Sequence, residues 1–445
     1  MKSIKTVALL LLSLSLLGLN GLTAAYAQKE VKISAWTADQ LYVDYFKTRT
    51  DEFQKAHSDV KITWDFVVKP DAPAAVLQAI AAGETIPDMV GMERKQFSNY
   101  MKSDILEKNF VDLTDLIKDP SQYSSAKLAI YTYKGKLYAL ESQLAASVFY
   151  YQPKIYKDNG LEVPKTWEEM VADGDKLGPK GIAQDFVTDD GDIFHMMLHQ
   201  RGGLVFDKDG KFVLGDATNR PLAVEVATLL QKGVKNGTFT PVLGGDVWNG
   251  ATIPTLYRSG KLLGTVMPDW WSSCCLQPWL KAPPKALGTE QAPAEGAPTV
   301  WAVGVPPVWK AGGHKTLTWG GTGWAVSSQS PNAALAKEFL AFAYLGEESQ
   351  AQKYVAINNF PWMLAAYKDP RVIGLADPFF GGQKIGEIYA QVADDVPTWY
   401  PSPFLAGFYK GAGDNLPGLF NGSITPDQFV DAVVKVTQDG IDFGN

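Results

Sequence analysis

The chain has 445 residues, of which 41 are basic and 48 acidic, giving a formal net charge of −7. This length exceeds what one hydrophobic core usually holds, so at least two domains are expected. Its basic residues do not cluster, which argues against nucleic acid or another polyanion as partner. Thirteen Trp, 18 Tyr and 21 Phe favour a carbohydrate ligand, because aromatic faces stack on sugar rings.

The first 27 residues predict a cleaved secretory signal. Lys2 and Lys5 precede an apolar run, and Ala25 and Ala27 flank Tyr26 as a small-x-small cleavage site. The apolar run is shorter than the ~20 residues of a membrane span. No Cys stands directly after it, so we expect no lipid anchor and a soluble protein in the periplasm.

The next part of the chain alternates strands and helices. The predicted elements are strands at 31–36, 60–67 and 86–93 and helices at 40–56 and 73–83. Alternation of this kind predicts a mostly parallel sheet covered on both faces. Such sheets bind ligands beyond the carboxyl ends of their strands, where Trp36 and Glu93 lie. Later elements are helices near 192–201, 220–235 and 332–345, a hairpin at 207–210 and a Pro-, Ala- and Gly-rich loop at 281–298.

Residues 135–169 contain GKLYALESQ, VFYYQPKIYKDNGLEVP and KTWEEM. They predict a strand, a crossing segment, a second strand and a helix that opens with a Thr166/Glu169 capping box. This run resembles the first interdomain crossing of periplasmic solute-binding proteins of the maltose-binding type, except that Glu141 stands where the family usually has Pro. GTGWAVSSQSPNAALAKEFLAFA, NNFPWMLAAYKDPR and VPTWYPSPFLAGFYKGAGDNL resemble the second crossing, the third crossing and the closing helices of that family.

The resemblance covers nearly the whole chain after the signal and implies an α/β fold of two lobes, the type II periplasmic-binding-protein fold. The implied lobes are discontinuous: 28–140 with 310–358, and 141–309 with 359–445. It also implies a monomeric receptor, not an enzyme, that closes by a hinge on a sugar and delivers it to the permease of an ABC importer. The aromatic surplus favours an oligosaccharide over a monosaccharide. No cofactor and no metal are expected.

The candidate ligand residues lie at strand ends, at crossings or at positions that match the family. Trp270 and Trp271 match a family Trp that stacks on sugar, but neighbours on a strand face opposite ways, so one should face the ligand and the other the core. Aromatic plates and planar polar groups suit ring faces and hydroxyls. The full set is Trp270, Trp271, Asp269, Trp399, Tyr400, Trp36, Glu93, Gln143, Trp248, Trp319, Gly320, Gly321 and Trp362.

The two cysteines, Cys274 and Cys275, are adjacent and follow the tryptophan pair. An oxidising periplasm favours their pairing as a vicinal disulfide, with two reduced thiols in a turn as the alternative. Such a bridge closes almost no loop, so we expect it to act locally, as a rigid apolar corner beside the tryptophans.

Three rival functions rest on other residues. A polyamine or a sugar phosphate is the alternative ligand, and binding of either should weaken as salt rises. A glycosidase would need a placed carboxylate pair, whereas Asp189, Asp190 and Asp192 indicate a helix start or a solvated loop. His195 and His199 share a helical face, but two ligands do not complete a metal site, and a structural role is favoured.

Overall fold

The computed structural model describes residues 28–248, 251–280 and 301–444. The predicted signal at 1–27 and the loop predicted at 281–298 lie outside these residues. Within them, the strands are β1 (Lys29–Thr37), β2 (Val60–Val68), β3 (Met89–Glu93), β4 (Thr132–Tyr133), β5 (Lys136–Leu137), β6 (Leu140–Glu141), β7 (Ser147–Tyr151), β8 (Asp185–Thr188), β9 (Phe239–Val242), β10 (Gly264–Pro268), β11 (Ala302–Gly304) and β12 (Thr322–Val326).

The α-helices of the same ranges surround these strands. They are α1 (Gln40–Ala56), α2 (Ala72–Ala82), α3 (Arg94–Tyr100), α4 (Ile105–Asn109), α5 (Ser125–Ile130), α6 (Pro153–Asp158), α7 (Trp167–Leu177), α8 (Asp192–Gln200), α9 (Asn219–Lys235), α10 (Thr252–Arg258), α11 (Gln277–Trp279), α12 (Ala333–Tyr344), α13 (Glu347–Ile357), α14 (Pro370–Ile373), α15 (Ile385–Val392), α16 (Leu405–Asn421) and α17 (Pro426–Asp442). None of the helices in the described ranges has the length and apolar character of a membrane span.

The first lobe is built on a five-stranded sheet with the order β2-β1-β3-β12-β6. β1 is parallel to β2 and β3, as predicted, while β12 is antiparallel to β3 and β6. The third strand begins at Met89 rather than at 86, because Pro87 has no N–H to give to a ladder. Asp88 instead accepts hydrogen bonds from the backbone N–H and the hydroxyl of Ser34, at 2.6 and 2.7 Å.

The second lobe contains an antiparallel sheet, β10-β7-β11, and the parallel pair β8-β9. Its helix α7 begins at the predicted cap, where the Thr166 hydroxyl accepts the N–H of Glu169 at 3.1 Å. The Glu169 carboxylate accepts a bond from the N–H of Lys165 at 2.9 Å, one residue before the cap. The hairpin predicted at 207–210 is also present, with the Asp207 N–H bonded to the Lys211 carbonyl at 2.9 Å.

Three segments, 142–146, 317–321 and 358–361, lie where the resemblance implies crossings between the lobes, and they hydrogen-bond to one another. The N–H of Leu144 donates to the Phe360 carbonyl, and that of Ser147 donates to the Leu317 carbonyl, each at 2.9 Å. The crossings therefore form one bonded bundle. The exact lobe limits stay a prediction.

Candidate functional site

Four tryptophans meet beside the second crossing, and we call Trp248, Trp270, Trp271 and Trp319 the tryptophan cluster. The Trp248 ring centroid lies 6.2, 6.3 and 6.0 Å from those of Trp270, Trp271 and Trp319, respectively. The Trp270 indole N–H donates to the Trp319 carbonyl at 3.0 Å, which fixes the plane of that ring. All four belong to the set predicted from the sequence, and the structure brings them together.

The two adjacent tryptophans have different environments. The prediction that they lie on a strand was wrong, because β10 ends at Pro268 and both residues belong to the helical turn that follows it. Trp271 is fully buried between Trp279 and Phe186, with ring centroids at 5.0 and 5.8 Å. Trp270 is half-buried. The solvent-accessible face of the pair therefore belongs to Trp270.

Trp248 is the most exposed member of the cluster, with 54% of its surface accessible. Trp319 is 5% exposed and supports the other rings from behind. The exposed indole of Trp248 and the half-exposed indole of Trp270 are tilted 31° to each other. Two such faces can hold apolar faces of a ring-shaped ligand.

Gly320 and Gly321 in the second crossing make room for neighbouring side chains. Gly320 has φ +70°, and a Cβ there would lie 3.2 Å from the Trp270 indole. Gly321 has φ +106°, and its Cβ would lie 3.1 Å from the Glu141 carboxylate. Both glycines are therefore approached by side chains of the protein itself, Trp270 and Glu141. Contact of their backbone with a ligand stays a prediction.

A polar group lies at the start of α3, around Arg94. The Arg94 N–H donates to the Gly321 carbonyl at 3.1 Å, next to the glycine that supports Trp270. Its guanidinium donates from Nη2 to Asp192 at 3.2 Å and lies 5.4 Å from the ring centroid of Trp399. Nε of Arg94 is 3.8 Å from the Glu93 carboxylate. Arg94 and Glu93 of one lobe thus meet Asp192 and Trp399 of the other.

The ionisation of this group follows from its burial and its charges. Burial acts to raise the pKa of Asp192, but Lys95 and Arg94 outweigh it and hold that pKa below its ordinary value. Burial raises the pKa of Glu93, with the Asp192 carboxylate adding to the rise and Arg94 opposing it. Asp192 is therefore an anion in the folded protein.

Several polar atoms of this region keep unused hydrogen-bonding capacity. Among the described residues, Nε and Nη1 of Arg94, Nε1 of Trp399, Oε1 of Gln143 and Oε2 of Glu141 are buried without a hydrogen-bond partner. Buried polar atoms normally find hydrogen-bond partners, so these atoms are among the exceptions in the described part of the chain.

Asp269, which directly precedes Trp270, is held by hydrogen bonds from the backbone. Asp269 is fully buried and accepts hydrogen bonds from the N–H groups of Trp270 and Phe360. Burial raises its pKa to about 7. Its carboxylate joins the end of β10 to the third crossing. We therefore expect Asp269 to bind these backbone N–H groups rather than a ligand hydroxyl.

A buried ion group surrounds the crossings. Lys127 Nζ lies 3.5 Å from the Glu141 carboxylate and donates to the Thr318 hydroxyl at 3.2 Å. Lys353 donates to the Ser142 carbonyl, and burial lowers its pKa to about 7. Glu141, where the resembled family has Pro, therefore supplies the negative charge that Lys127 requires in this interior.

Three other selected residues have contacts or exposures of their own. Trp362 is fully buried against Tyr123, with ring centroids 4.6 Å apart. Trp36 carries Lys69 Nζ over its ring at 3.9 Å. Tyr400 is half-buried. Ligand contact stays a prediction for these three residues and for all other members of the selected set.

The histidine pair is structural in its contacts. Nε2 of His195 and Nε2 of His199 are 2.9 Å apart, and Nδ1 of His195 is 3.0 Å from the Tyr409 hydroxyl. Burial lowers the pKa of His199 to about 3 and that of His195 well below its ordinary value, so both are neutral. The pair supports Tyr409 and Trp399 from the interior of the second lobe.

The adjacent cysteines form a disulfide, as the sequence predicts. They lie in a π-helical turn, Ser272–Leu276, directly after the tryptophan pair. Cys275 is buried and Cys274 is half-buried. The bridge therefore belongs to the turn that carries Trp270 and Trp271.

The fold and this interlobe site define an extracellular solute receptor. A model of the bacterial extracellular solute-binding proteins matches residues 48–376, and the chain belongs to that family. It is 28% identical over 410 residues to the arabinooligosaccharide-binding protein of Bacillus subtilis (strain 168), covering 88% of each chain. It is 24% identical over 429 residues to a lactose-binding protein of Rhizobium radiobacter, covering 94% of this chain and 93% of the relative.

A solved structure shows the same fold at lower identity. The galacto-N-biose/lacto-N-biose I-binding protein of the ABC transporter from Bifidobacterium longum, in complex with lacto-N-biose, superposes with a TM-score of 0.71 at 17% identity. The match covers 93% of this chain and 98% of that one. The predicted two-lobed α/β fold is thereby confirmed.

Proposed function

We propose that this protein is the oligosaccharide receptor of an ABC importer, which closes on a neutral sugar and presents it to membrane permease subunits. The observation that carries the proposal is the tryptophan cluster, with accessible Trp248 and Trp270 faces beside a crossing between two lobes. Relatives named for arabino-oligosaccharides and lactose support the same ligand class.

The charges of the site favour a neutral ligand. The Arg94 guanidinium is committed to Asp192 at 3.2 Å, so it is poorly placed to bind a phosphate as a full counter-charge. Asp192 is in turn neutralised by Lys95 at 2.9 Å, which weakens its attraction for a polyamine. Unused donors and acceptors on Arg94 and Gln143 match hydroxyl groups instead.

Binding follows from the division of the site between lobes. The cluster stands at the second crossing and the end of β10, while Glu93 and Arg94 come from the carboxyl end of β3. Only the closed arrangement assembles both halves, so a sugar that contacts both stabilises closure. The receptor then acts as a monomer in the periplasm, and it performs no chemistry on its ligand.

A thermal-shift screen of residues 28–445 tests this function. The panel contains arabino-, galacto- and malto-oligosaccharides, spermidine and sugar phosphates, each at two salt concentrations. A neutral oligosaccharide at ~100 times its Kd should add about 2.7 kcal/mol of stability. Trp270→Ala should lose about two thirds of that shift, whereas Trp64→Ala, which alters a half-buried indole on β2, should keep it. A shift with spermidine or a sugar phosphate alone would overturn the proposal.

A further inference from the structure

Two charged groups meet across the lobes beside the sugar site. Lys95 lies in the first turn of α3, after β3 of the five-stranded sheet. Its Nζ is 2.9 Å from the Asp192 carboxylate and 3.5 Å from that of Asp190. Both acids follow β8 of the other lobe, at the start of α8. The contact therefore joins the two lobes directly.

Each half of the contact is held in place by its own lobe. One Asp190 oxygen accepts the Thr188 hydroxyl at 2.7 Å and the Asp192 N–H at 3.1 Å. The Lys95 N–H donates to the Glu93 carboxylate at 2.8 Å, which anchors the helix start. The two halves are thus prepared before they meet, and little ordering is needed when they do.

The contact is shielded but not sealed. The side chains of Lys95, Asp192 and Asp190 are 25%, 6% and 37% exposed. Lys95 Nζ also lies 4.3 Å from the ring centroid of Tyr409 on α16 of the second lobe. Opening the lobes separates Lys95 from all three groups at once and returns the charges to water.

We propose that Lys95, Asp190 and Asp192 form a charge latch, which stabilises the closed lobes and thereby raises the affinity for every ligand by the same factor. This inference rests on the proposed function. A group that acts only on closure changes the fraction of the binding-competent state, and the apparent Kd scales with that fraction whatever the sugar. Lys95 is accordingly a positioning residue rather than a ligand contact.

Lys95→Met and Asp190→Asn test the latch. Asp190→Asn keeps the carbonyl oxygen that binds Thr188 and removes only the charge. Lys95→Met should raise Kd about fivefold, a factor expected for a partly exposed charge pair. Asp190→Asn should raise Kd by less, because Asp192 still pairs with Lys95 at 2.9 Å. The factor should be the same for a di-, a tri- and a tetrasaccharide, measured by titration calorimetry. The double variant should bind about as tightly as Lys95→Met alone, because the loss of Lys95 already removes the charge that Asp190 contacts.

Lys61→Met is the matched control. Lys61 also pairs with an acid, Glu30, at 2.7 Å, but both are exposed and both belong to the first sheet. The Lys61→Met variant should bind sugar with the Kd of the wild type. A Kd for Lys95→Met equal to the wild-type value, or a loss confined to some of the sugars, would overturn the latch.

Salt gives an independent readout. Neutral sugars carry no charge, so a decrease in wild-type affinity between 50 mM and 500 mM NaCl that vanishes in Lys95→Met supports the latch. A decrease that persists unchanged in Lys95→Met would contradict it. If the wild type binds no neutral sugar at all, the proposed function fails; if it binds and the latch variants match it, only the latch fails.

Discussion

The tryptophan pair allows one change to test binding and the adjacent change to test folding. Trp270 is half-buried with an accessible face, whereas Trp271 is fully buried among Trp279 and Phe186. We expect Trp270→Ala to weaken sugar binding and Trp271→Ala to destabilise the fold. The two substitutions remove the same atoms at adjacent positions, so the environment alone explains any difference.

The magnitudes follow from these environments. Replacing a fully buried Trp by Ala typically costs about 3–5 kcal/mol of unfolding free energy, and Trp271 meets that description. Trp270→Ala loses one hydrogen bond, to the Trp319 carbonyl, and part of its packing, or about 1–2 kcal/mol. As a central aromatic of the site, it should contribute about 2 kcal/mol to binding, which is roughly 30-fold in Kd.

Two assays separate the effects. Urea unfolding of the ligand-free variants gives the stability difference, and calorimetric titration with the best sugar of the screen gives Kd at a temperature where both variants are folded. The assignment of the accessible face would be refuted by the opposite pattern. In that pattern Trp271→Ala keeps wild-type stability but no longer binds sugar, whereas Trp270→Ala binds sugar normally.

Three further predictions concern the backbone, the pH dependence and the disulfide. Gly320→Ala should cost about 1–2 kcal/mol through its positive φ and should also weaken binding, because the new Cβ would lie 3.2 Å from the indole of the site. Burial raises the pKa of Asp185 to about 7, so its contribution to stability should be fully present below about pH 4 and be lost as pH rises through 7. The change is on the order of a few kcal/mol, and urea unfolding of wild type and Asp185→Asn across this range measures it. Reduction of the bond between Cys274 and Cys275 should change the unfolding free energy by less than about 1 kcal/mol, since the bridge joins adjacent residues.

Each of these has its own control. Gly83 has the same φ of +70° at the end of α2, and a Cβ added there would meet nothing within 4 Å, so Gly83→Ala should lower stability and leave Kd unchanged. Equal losses of affinity at both glycines would contradict the explanation for Gly320. If the unfolding free energy of the wild type falls between pH 4 and pH 7 no faster than that of Asp185→Asn, the pKa assigned to Asp185 is wrong. A large stability loss in the Cys274→Ser/Cys275→Ser variant would contradict the local role of the bridge.

Much of the fold was predictable because its signals are local. The alternation of strands and helices located β1 to β3, and the strand-end rule pointed to Glu93, whose neighbour Arg94 carries the interlobe contacts. Trp270 was selected by its match to a family position, and its role in binding stays a prediction. The sequence could not tell which of Trp270 and Trp271 is accessible. The rule that neighbours on a strand face opposite ways does not apply here, because β10 ends at Pro268 and the chain continues as a helix.

The charges were the least predictable part of the site. Asp269 follows a strand and could accept a hydrogen bond from a ligand hydroxyl. In the structure its carboxylate instead accepts the N–H of Phe360, which lies in the third crossing and is distant in sequence. Asp190 and Asp192 indicated a solvated helix start, and only the meeting of two lobes gives them Lys95 and Arg94 as partners. Partners that are distant in sequence leave no periodic signal, so such pairings need the assembled fold.

The position of β12 in the first sheet has a consequence for the order in which this protein folds. The strand lies between β3 and β6, pairing Val326 with Met89 and Trp324 with Leu140. Until residues 322–326 have been synthesised, β3 and β6 lack the strand that joins them, so the first lobe remains incomplete. Contacts so distant along the chain slow folding. That delay leaves the edges of β3 and β6 unpaired until the last third of the chain has been made, so the first lobe closes late in folding.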